Sequence, residues 1–310
     1  MSLFKYEILL KVIETGSLTK AAEQLNLTQS AVSHAVASLE GELGLQLLHR
    51  GRSGVRLTHE GERLWGYMQE MVHLQGRLQQ EADLIKGLET GMVTIGTFTS
   101  VSMHWLPDII KNFQDQYPLI HIKLLDGDYQ EIESWIARGT VDFGFVNLPT
   151  VQGLEQIELK QDKLLCIIPS GHRLSEEECI TTDHISEEPF IMPAKGCDTD
   201  VRKWFSEQGG TPRVRFELED DHAIIAMVRS GLGISILPET ILSDRPSGLY
   251  VCPLAPEAHR TIGLAALSFK KGSPAAAKAI AFIIEAFRSE AGKIPFHNAA
   301  AQHLTHPGST

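Results

Sequence analysis

At 310 residues the chain is longer than one compact domain usually holds, so more than one folded unit is expected. Apolar residues make up 43% and charged residues 22%, which excludes a largely disordered chain, and no run of roughly 18 uncharged apolar residues is present to span a bilayer. The net charge of −11 opposes nucleic acid as a partner of the whole surface, yet residues 1–60 are neutral, with six Lys/Arg against six Asp/Glu.

Three of those bases, Arg50, Arg52 and Arg56, fall close together, so any DNA contact would be local, with an acidic bulk behind it. Lys5, Glu7 and Lys11 interrupt the apolar start, and no small-residue cleavage site follows. A secretory signal is therefore not expected, and a cytoplasmic location is. Cys166, Cys179, Cys197 and Cys252 form no Cys-x-x-Cys pair and have no His at ligand spacing. Neither a metal site nor a disulfide framework is expected, and no cofactor is implied.

In chain order, residues 3–13 read as a helix with Leu3, Tyr6, Leu10 and Ile13 along one face. Ser17 caps a second helix carrying Leu18, Ala21, Ala22 and Leu25, which stops near Asn26. After a tight turn Thr28 caps a third, whose buried stripe is Val32, Val36, Leu39 and Leu43. Two short helices so joined fit a helix-turn-helix. The opposite face of the third helix carries Gln29, Ser30, Ser33, His34 and Ala37, all small or hydrogen-bonding and none acidic. An ordinary solvated face would carry Glu and Lys. Here Gln can bond adenine bidentately, Ser can bond several base edges and Ala can meet a thymine methyl.

Leu45, Leu47 and Leu48, then Val55 and Leu57, flank Arg50-Gly51-Arg52-Ser53-Gly54, which reads as a β-hairpin wing. Residues 59–88 read as one long helix. Its seam of Leu64, Met68, Met71, Gln75, Leu78, Ala82 and Ile85 alternates steps of four and three, the pattern of self-pairing in a dimer.

From residue 92 strands and helices alternate: strands at 92–98, 119–125 and 141–146, with helices at 103–116 and 129–137. After a polar stretch near 150–163 come strands at 164–168, 189–192, 214–218 and 234–237, with helices at 200–208 and 221–230. Strands at 249–251 and 262–269 and a helix at 274–288 close the chain. The alternation predicts a parallel sheet covered by helices, in two α/β lobes with a cleft between them.

The segment SLTKAAEQLNLTQSAVSHAVASLEGELGLQLLHRGRSGVRLTHEGE at 17–62 resembles the winged helix-turn-helix of the LysR-type transcriptional regulators from end to end. GMVTIGT at 91–97, FQDQYP at 113–118, GTVDFGFV at 139–146 and VRSGLGISILPE at 228–239 also resemble that family. The resemblance covers about residues 3 to 290. It implies a winged helix-turn-helix over 1–58 and a dimerising linker helix over 59–90. It further implies a two-lobed, periplasmic-binding-protein-like effector domain over 91–295, with lobe I at 91–162 and 266–290, lobe II at 163–265, and a flexible tail at 296–310. The implied partners are double-stranded promoter DNA, a small-molecule effector, RNA polymerase and further copies of the chain in a homotetramer, with no membrane.

Carried over by position, the DNA-binding set is Thr28, Gln29, Ser30, Ser33, His34, Arg50 and Arg52. The family commonly has Pro at Ser30, Arg at His34 and Phe at Leu48. A neutral imidazole at His34 in place of a permanent charge predicts lower operator affinity, or a steeper pH dependence of binding.

Ligands of open α/β folds gather at the carboxyl ends of strands and at helix N-termini. That rule selects Thr99, Ser100, Ser102, Gly127, Asp128 and Asn147 in the first lobe and Cys197, Asp198, Thr199 and Asp221 in the second, with His222 beside the last. The resemblance points to the loop of Thr99, Ser100 and Ser102. Hydroxyls there suit an anion. Asp126, Asp128, Asp198, Asp200, Asp220 and Asp221 instead suit an ammonium group, unless they serve as helix caps, and Lys195 and Arg202 would neutralise some of them. No Gly-x-Ser-x-Gly, P-loop or metal-ligand spacing suggests an enzyme. A solute-binding module without DNA function would not need residues 17–57.

Overall fold

The computed structural model describes residues 2–51, 54–151, 153–194, 198–243 and 247–293, with the side chains of 290–293 excepted. Arg52, Lys195, Cys197 and the expected tail at 296–310 lie outside the described residues.

The N-terminal unit packs α1 (Leu3–Thr15), α2 (Leu18–Gln24) and α3 (Gln29–Leu43) against the hairpin of β1 (Leu48–Gly51) and β2 (Gly54–Leu57), followed by α4 (His59–Ile85). Each start is capped by its own sequence: the hydroxyls of Ser17, Thr28 and Thr58 accept backbone N–H bonds from Lys20, Ala31 and Gly61. Asn26 takes the left-handed turn at φ 53°, which an asparagine tolerates. The buried side of α1 is Tyr6, Ile8, Leu9 and Val12, with Leu3, Leu10 and Ile13 only partly covered. This corrects the expected face. The helix is apolar nearly all round and is wedged against α2, α3, α4 and β2, so periodicity alone could not choose its inner side. Gly61 lets α4 approach the hairpin, because a Cβ there would stand 2.5 Å from the Leu47 carbonyl oxygen.

α4 serves two neighbours. Leu64, Trp65, Met68 and Val72 pack onto the N-terminal core. Tyr67, Met71, Leu74, Leu78 and Ile85 lie exposed along the other side. The exposed stripe is thus shifted from the expected seam, losing Leu64 and Met68 to the core and gaining Tyr67 and Leu74. A straight helix drifts against a strict heptad, and its first turns are committed to covering the N-terminal unit.

Beyond α4 come β3 (Gly91–Thr97), α5 (Thr99–His104), α6 (Leu106–Gln116), β4 (Ile120–Asp126), α7 (Tyr129–Ala137) and β5 (Phe143–Leu148). Then follow β6 (Glu155–Pro169), α8 (Thr182–Ser186), β7 (Pro189–Pro193), α9 (Asp198–Glu207), β8 (Arg213–Leu218), α10 (Asp221–Arg229), β9 (Ser235–Pro238), β10 (Leu249–Ala266) and α11 (Pro274–Lys293). The main sheet has the order β4-β3-β5-β10-β6-β9. β3 runs parallel to β4 and β5, whereas β10 is antiparallel to β5 and β6. A parallel pair, β7 with β8, joins through the Phe190–Ile234 bridge.

The expected all-parallel sheet is therefore mixed, because two long strands run through both lobes. The polar stretch at 150–163 is mostly strand β6, whose solvated face carries Glu155, Gln156, Glu158 and Gln161 and so hides the alternation. The two expected strands at 249–251 and 262–269 are one strand, β10. Pro253 and Pro256 fall where its register shifts, between Pro253 and Ala258. Ile262, Leu264, Ala265 and Ala266 belong to the lobe I core, so the chain returns to that lobe before residue 266. The single helix expected at 103–116 is two, α5 and α6, meeting at Trp105, with Pro107 at the start of the second.

Candidate functional site

On α3 the side chains of Gln29, Ser30 and His34 are exposed, and Ser33 is half-buried. Thr28 is exposed at the cap, its Oγ1 lying 3.0 Å from the Ser30 Oγ. Arg50, on the wing strand β1, donates to the Ser33 Oγ at 3.2 Å, so its guanidinium lies over the same edge. The Glu40 carboxylate, on the inner side, accepts from the Leu47 and Leu48 backbone N–H groups at 2.8 and 3.1 Å and locks the wing to α3. The edge is thus rigidly mounted, uncharged apart from its arginine, and free of acid. Polar side chains on a helix beside a basic wing suit the major groove and the adjoining phosphates.

The second site lies between the lobes. A cavity of about 200 Å³ is lined by Phe98, Thr99, Ser100, Asp126, Gly127, Asp128 and Glu131 from lobe I. Pro193, Ala194, Glu219, Asp221, Leu237 and Pro238 line it from lobe II, with Arg260 from β10. Five expected residues meet there: Thr99, Ser100, Gly127, Asp128 and Asp221. Ser102, Asn147, Asp198 and Thr199 do not line it, and Cys197 lies outside the described residues. Ser102 donates to Asp126 at 2.8 Å. Asn147 donates to Asp200 at 2.8 Å, from the end of β5 across to α9. Asp198 pairs with Arg202, which also bonds Glu217, and Thr199 is exposed on α9 outside the lining. His222 reaches instead to the Met103 Sδ at 3.3 Å, another link between lobes.

Sequence reasoning missed the floor of the cleft. Arg260 is 3% exposed and sits directly opposite Asp162 in the β10–β6 register. Its Nε and Nη2 both donate to Asp162 Oδ2, at 2.9 and 2.7 Å. It also donates to the Tyr129 hydroxyl and the Ser100 Oγ, each at 2.7 Å. Asp162 Oδ1 accepts from the Thr240 backbone N–H at 3.0 Å. One buried ion pair thus ties α5, α7, β6, β10 and the turn after β9 together. Two carboxyls near it are pushed above their ordinary range. For Asp200, burial outweighs the Asn147 hydrogen bond; for Asp221, burial outweighs the attraction of Arg260.

Asp128 and Glu131 form a capping box at α7, each carboxylate accepting the other's backbone N–H, and Asp220 caps α10. Gly127 gives room for the Trp135 ring, which a Cβ would meet at 2.5 Å. The only missing signal for Arg260 was a lone charge within a long strand, uninformative until the pairing of β6 with β10 is known.

The two units also touch. His73 Nε2 on α4 lies 3.0 Å from Asp142 Oδ1, whose other oxygen accepts from the Thr94 backbone N–H at 2.8 Å. Gln69 donates to Thr140 at 3.2 Å.

A winged helix-turn-helix, a long helix and a two-lobed α/β domain around a polar cleft form the build of a one-chain DNA-binding regulator with a small-molecule domain. Residues 3–62 match the family model of the bacterial regulatory helix-turn-helix proteins of the lysR family, and residues 86–288 match that of the LysR substrate binding domain. The chain belongs to the LysR family of DNA-binding transcriptional regulators. It is 33% identical to the HTH-type transcriptional regulator YvbU of Bacillus subtilis over 94% of this chain and 100% of that one. It is 30% identical to the transcriptional activator LysR of Escherichia coli over 79% and 80% of the two chains. Among solved structures, OxyR of Pseudomonas aeruginosa shares the fold with a TM-score of 0.73 and 21% identity, covering 93% of this chain and 95% of that one. CbnR bound to its target DNA does so with a TM-score of 0.66 and 20% identity, covering 92% and 99%. No helix among the described residues is long and apolar enough to cross a membrane.

Proposed function

We propose that the protein is a cytoplasmic regulator, and not an enzyme, that reads promoter DNA with Gln29, Ser30, Ser33 and His34. Arg50 and Arg52 supply phosphate or minor-groove contacts. Thr28 sets the start of the reading helix. Two copies pair through the exposed stripe of α4, and two such dimers form a homotetramer. A small effector held at Thr99, Ser100, Gly127, Asp128 and Asp221 changes the angle between the lobes. Contacts of lobe I with α4, through Asp142 and His73, pass that change to the spacing of the reading helices and to RNA polymerase. The size of the response equals the effector's preference for one lobe arrangement over the other.

The observation that carries this reading is the exposure of an acid-free edge on α3 beside Arg50, in a chain whose net charge is −11. The solved complex of CbnR with its target DNA supports the same use of the fold. Footprinting of full-length protein on DNA upstream of its own or a neighbouring gene tests it. The expected result is protection of an interrupted, A/T-rich inverted repeat with half-sites about 10 bp apart. Absence of protection at low salt would leave a solute-binding module without a DNA function.

A further inference from the structure

We infer that the cleft takes a small cationic ligand, a molecule with a primary ammonium or a guanidinium group, anchored on Asp221. This rests on the reading above only in placing an effector in the cleft. Asp221 is 7% exposed, lines the cavity, and makes no hydrogen bond or ion pair among the described residues. A buried carboxylate without a partner is costly and is normally satisfied, so one facing a cavity marks the place of a missing donor. The charge around it has one sign. Asp126, Asp128 and Glu131 line the same cavity, and among the described residues the one lining cation is Arg260. Arg260 attracts Asp221 from a distance but makes no bond to it, its guanidinium being held by Asp162, Tyr129 and Ser100.

The helix caps explain Asp128 and Glu131, and Ser102 holds Asp126, whereas the cap of α10 is Asp220 and Asp221, in the first turn, makes no hydrogen bond among the described residues. An anion entering here would meet the Asp221 carboxylate, which makes no hydrogen bond or ion pair among the described residues. Phe98, Pro193, Ala194, Leu237 and Pro238 give the cavity apolar walls, and its volume of about 200 Å³ admits only a short body. That is below the ~300–1,000 Å³ of drug-sized sites.

Calorimetry on the full-length protein with three probes of equal carbon length tests the inference: 1,4-diaminobutane, 4-aminobutanoate and succinate. The diamine should bind most tightly, the amino acid less so, and succinate not at all at millimolar concentration. Asp221→Asn should weaken the diamine by about tenfold to hundredfold, the loss of one charge-assisted bond. It should also raise the melting temperature of the unliganded protein, since an unpaired buried charge is removed. Ala194→Lys, which puts a cation into the cavity without touching Asp221, should abolish diamine binding. Tighter binding of succinate than of diamine, no diamine binding at all, or unchanged diamine affinity in Asp221→Asn would each overturn the inference. Footprints recorded in parallel separate it from the regulatory reading. A diamine that binds without altering the footprint refutes regulation through the cleft. Succinate that binds and alters the footprint refutes the cationic ligand alone.

Discussion

Replacing Arg260 by alanine is expected to destabilise the protein by about 3–5 kcal/mol, because Asp162 is left charged and buried without its partner. Asp162 is 2% exposed and keeps only the Thr240 N–H, while Tyr129 and Ser100 lose a donor for nothing in return. Five elements from both lobes meet at this pair, so the loss should fall on the whole two-lobed domain. Chemical denaturation followed by tryptophan fluorescence measures it. Changing Arg260 and Asp162 together to leucine should recover most of the loss, since two apolar side chains leave no orphaned charge. A penalty below about 1 kcal/mol for Arg260→Ala would mean that the pair does not hold the lobes together.

Leu74→Glu with Leu78→Glu is expected to break the α4 pairs, so that the homotetramer falls to half its mass or less. These side chains are 57% and 71% exposed in the single chain and stand at heptad spacing between Met71 and Ile85. Covering a leucine contributes about 1.5–3 kcal/mol, and two facing copies of the stripe would lose all of it to like charges. Neither residue touches the N-terminal core, so folding should survive. Sedimentation equilibrium reads the mass. DNA affinity should fall by about a hundredfold or more, as the second half-site ceases to be a tethered encounter. A double variant that keeps the wild-type mass would place the interface elsewhere.

The parts of the fold legible in the sequence were those set by local chemistry. Ser17, Asn26, Thr28 and Thr58 sit at helix ends, where side-chain oxygens or a left-handed turn outweigh everything else. The exposed edge of α3 was legible because its character is compositional: small, polar and acid-free over two turns. What stayed hidden depends on distant partners. The strands β6 and β10 are polar and proline-bearing, so their identity comes from pairing with each other across nearly a hundred residues. The stripe on α4 was read correctly at Met71, Leu78 and Ile85 but wrongly at Leu64 and Met68, which the core claims. In the cleft, the rule that ligands sit at strand ends found Thr99, Ser100, Gly127, Asp128 and Asp221. It could not find Arg260, which lies inside a strand, nor tell that Asp198 is neutralised by Arg202 while Asp221 is left unpaired.

The reading edge itself is tested most directly by Gln29→Ala combined with Ser33→Ala. Gln29 makes no contact that the fold needs, and Ser33 offers only the bond to Arg50, so the domain should keep its melting temperature. Binding to the protected promoter segment, measured by mobility shift against random DNA of equal length, should lose its sequence preference. Each lost base contact is worth about 1–3 kcal/mol of discrimination, while sedimentation and diamine binding stay as in the wild type. Retained preference for the promoter by a well-folded double variant would contradict the account, because another surface would then be reading the DNA.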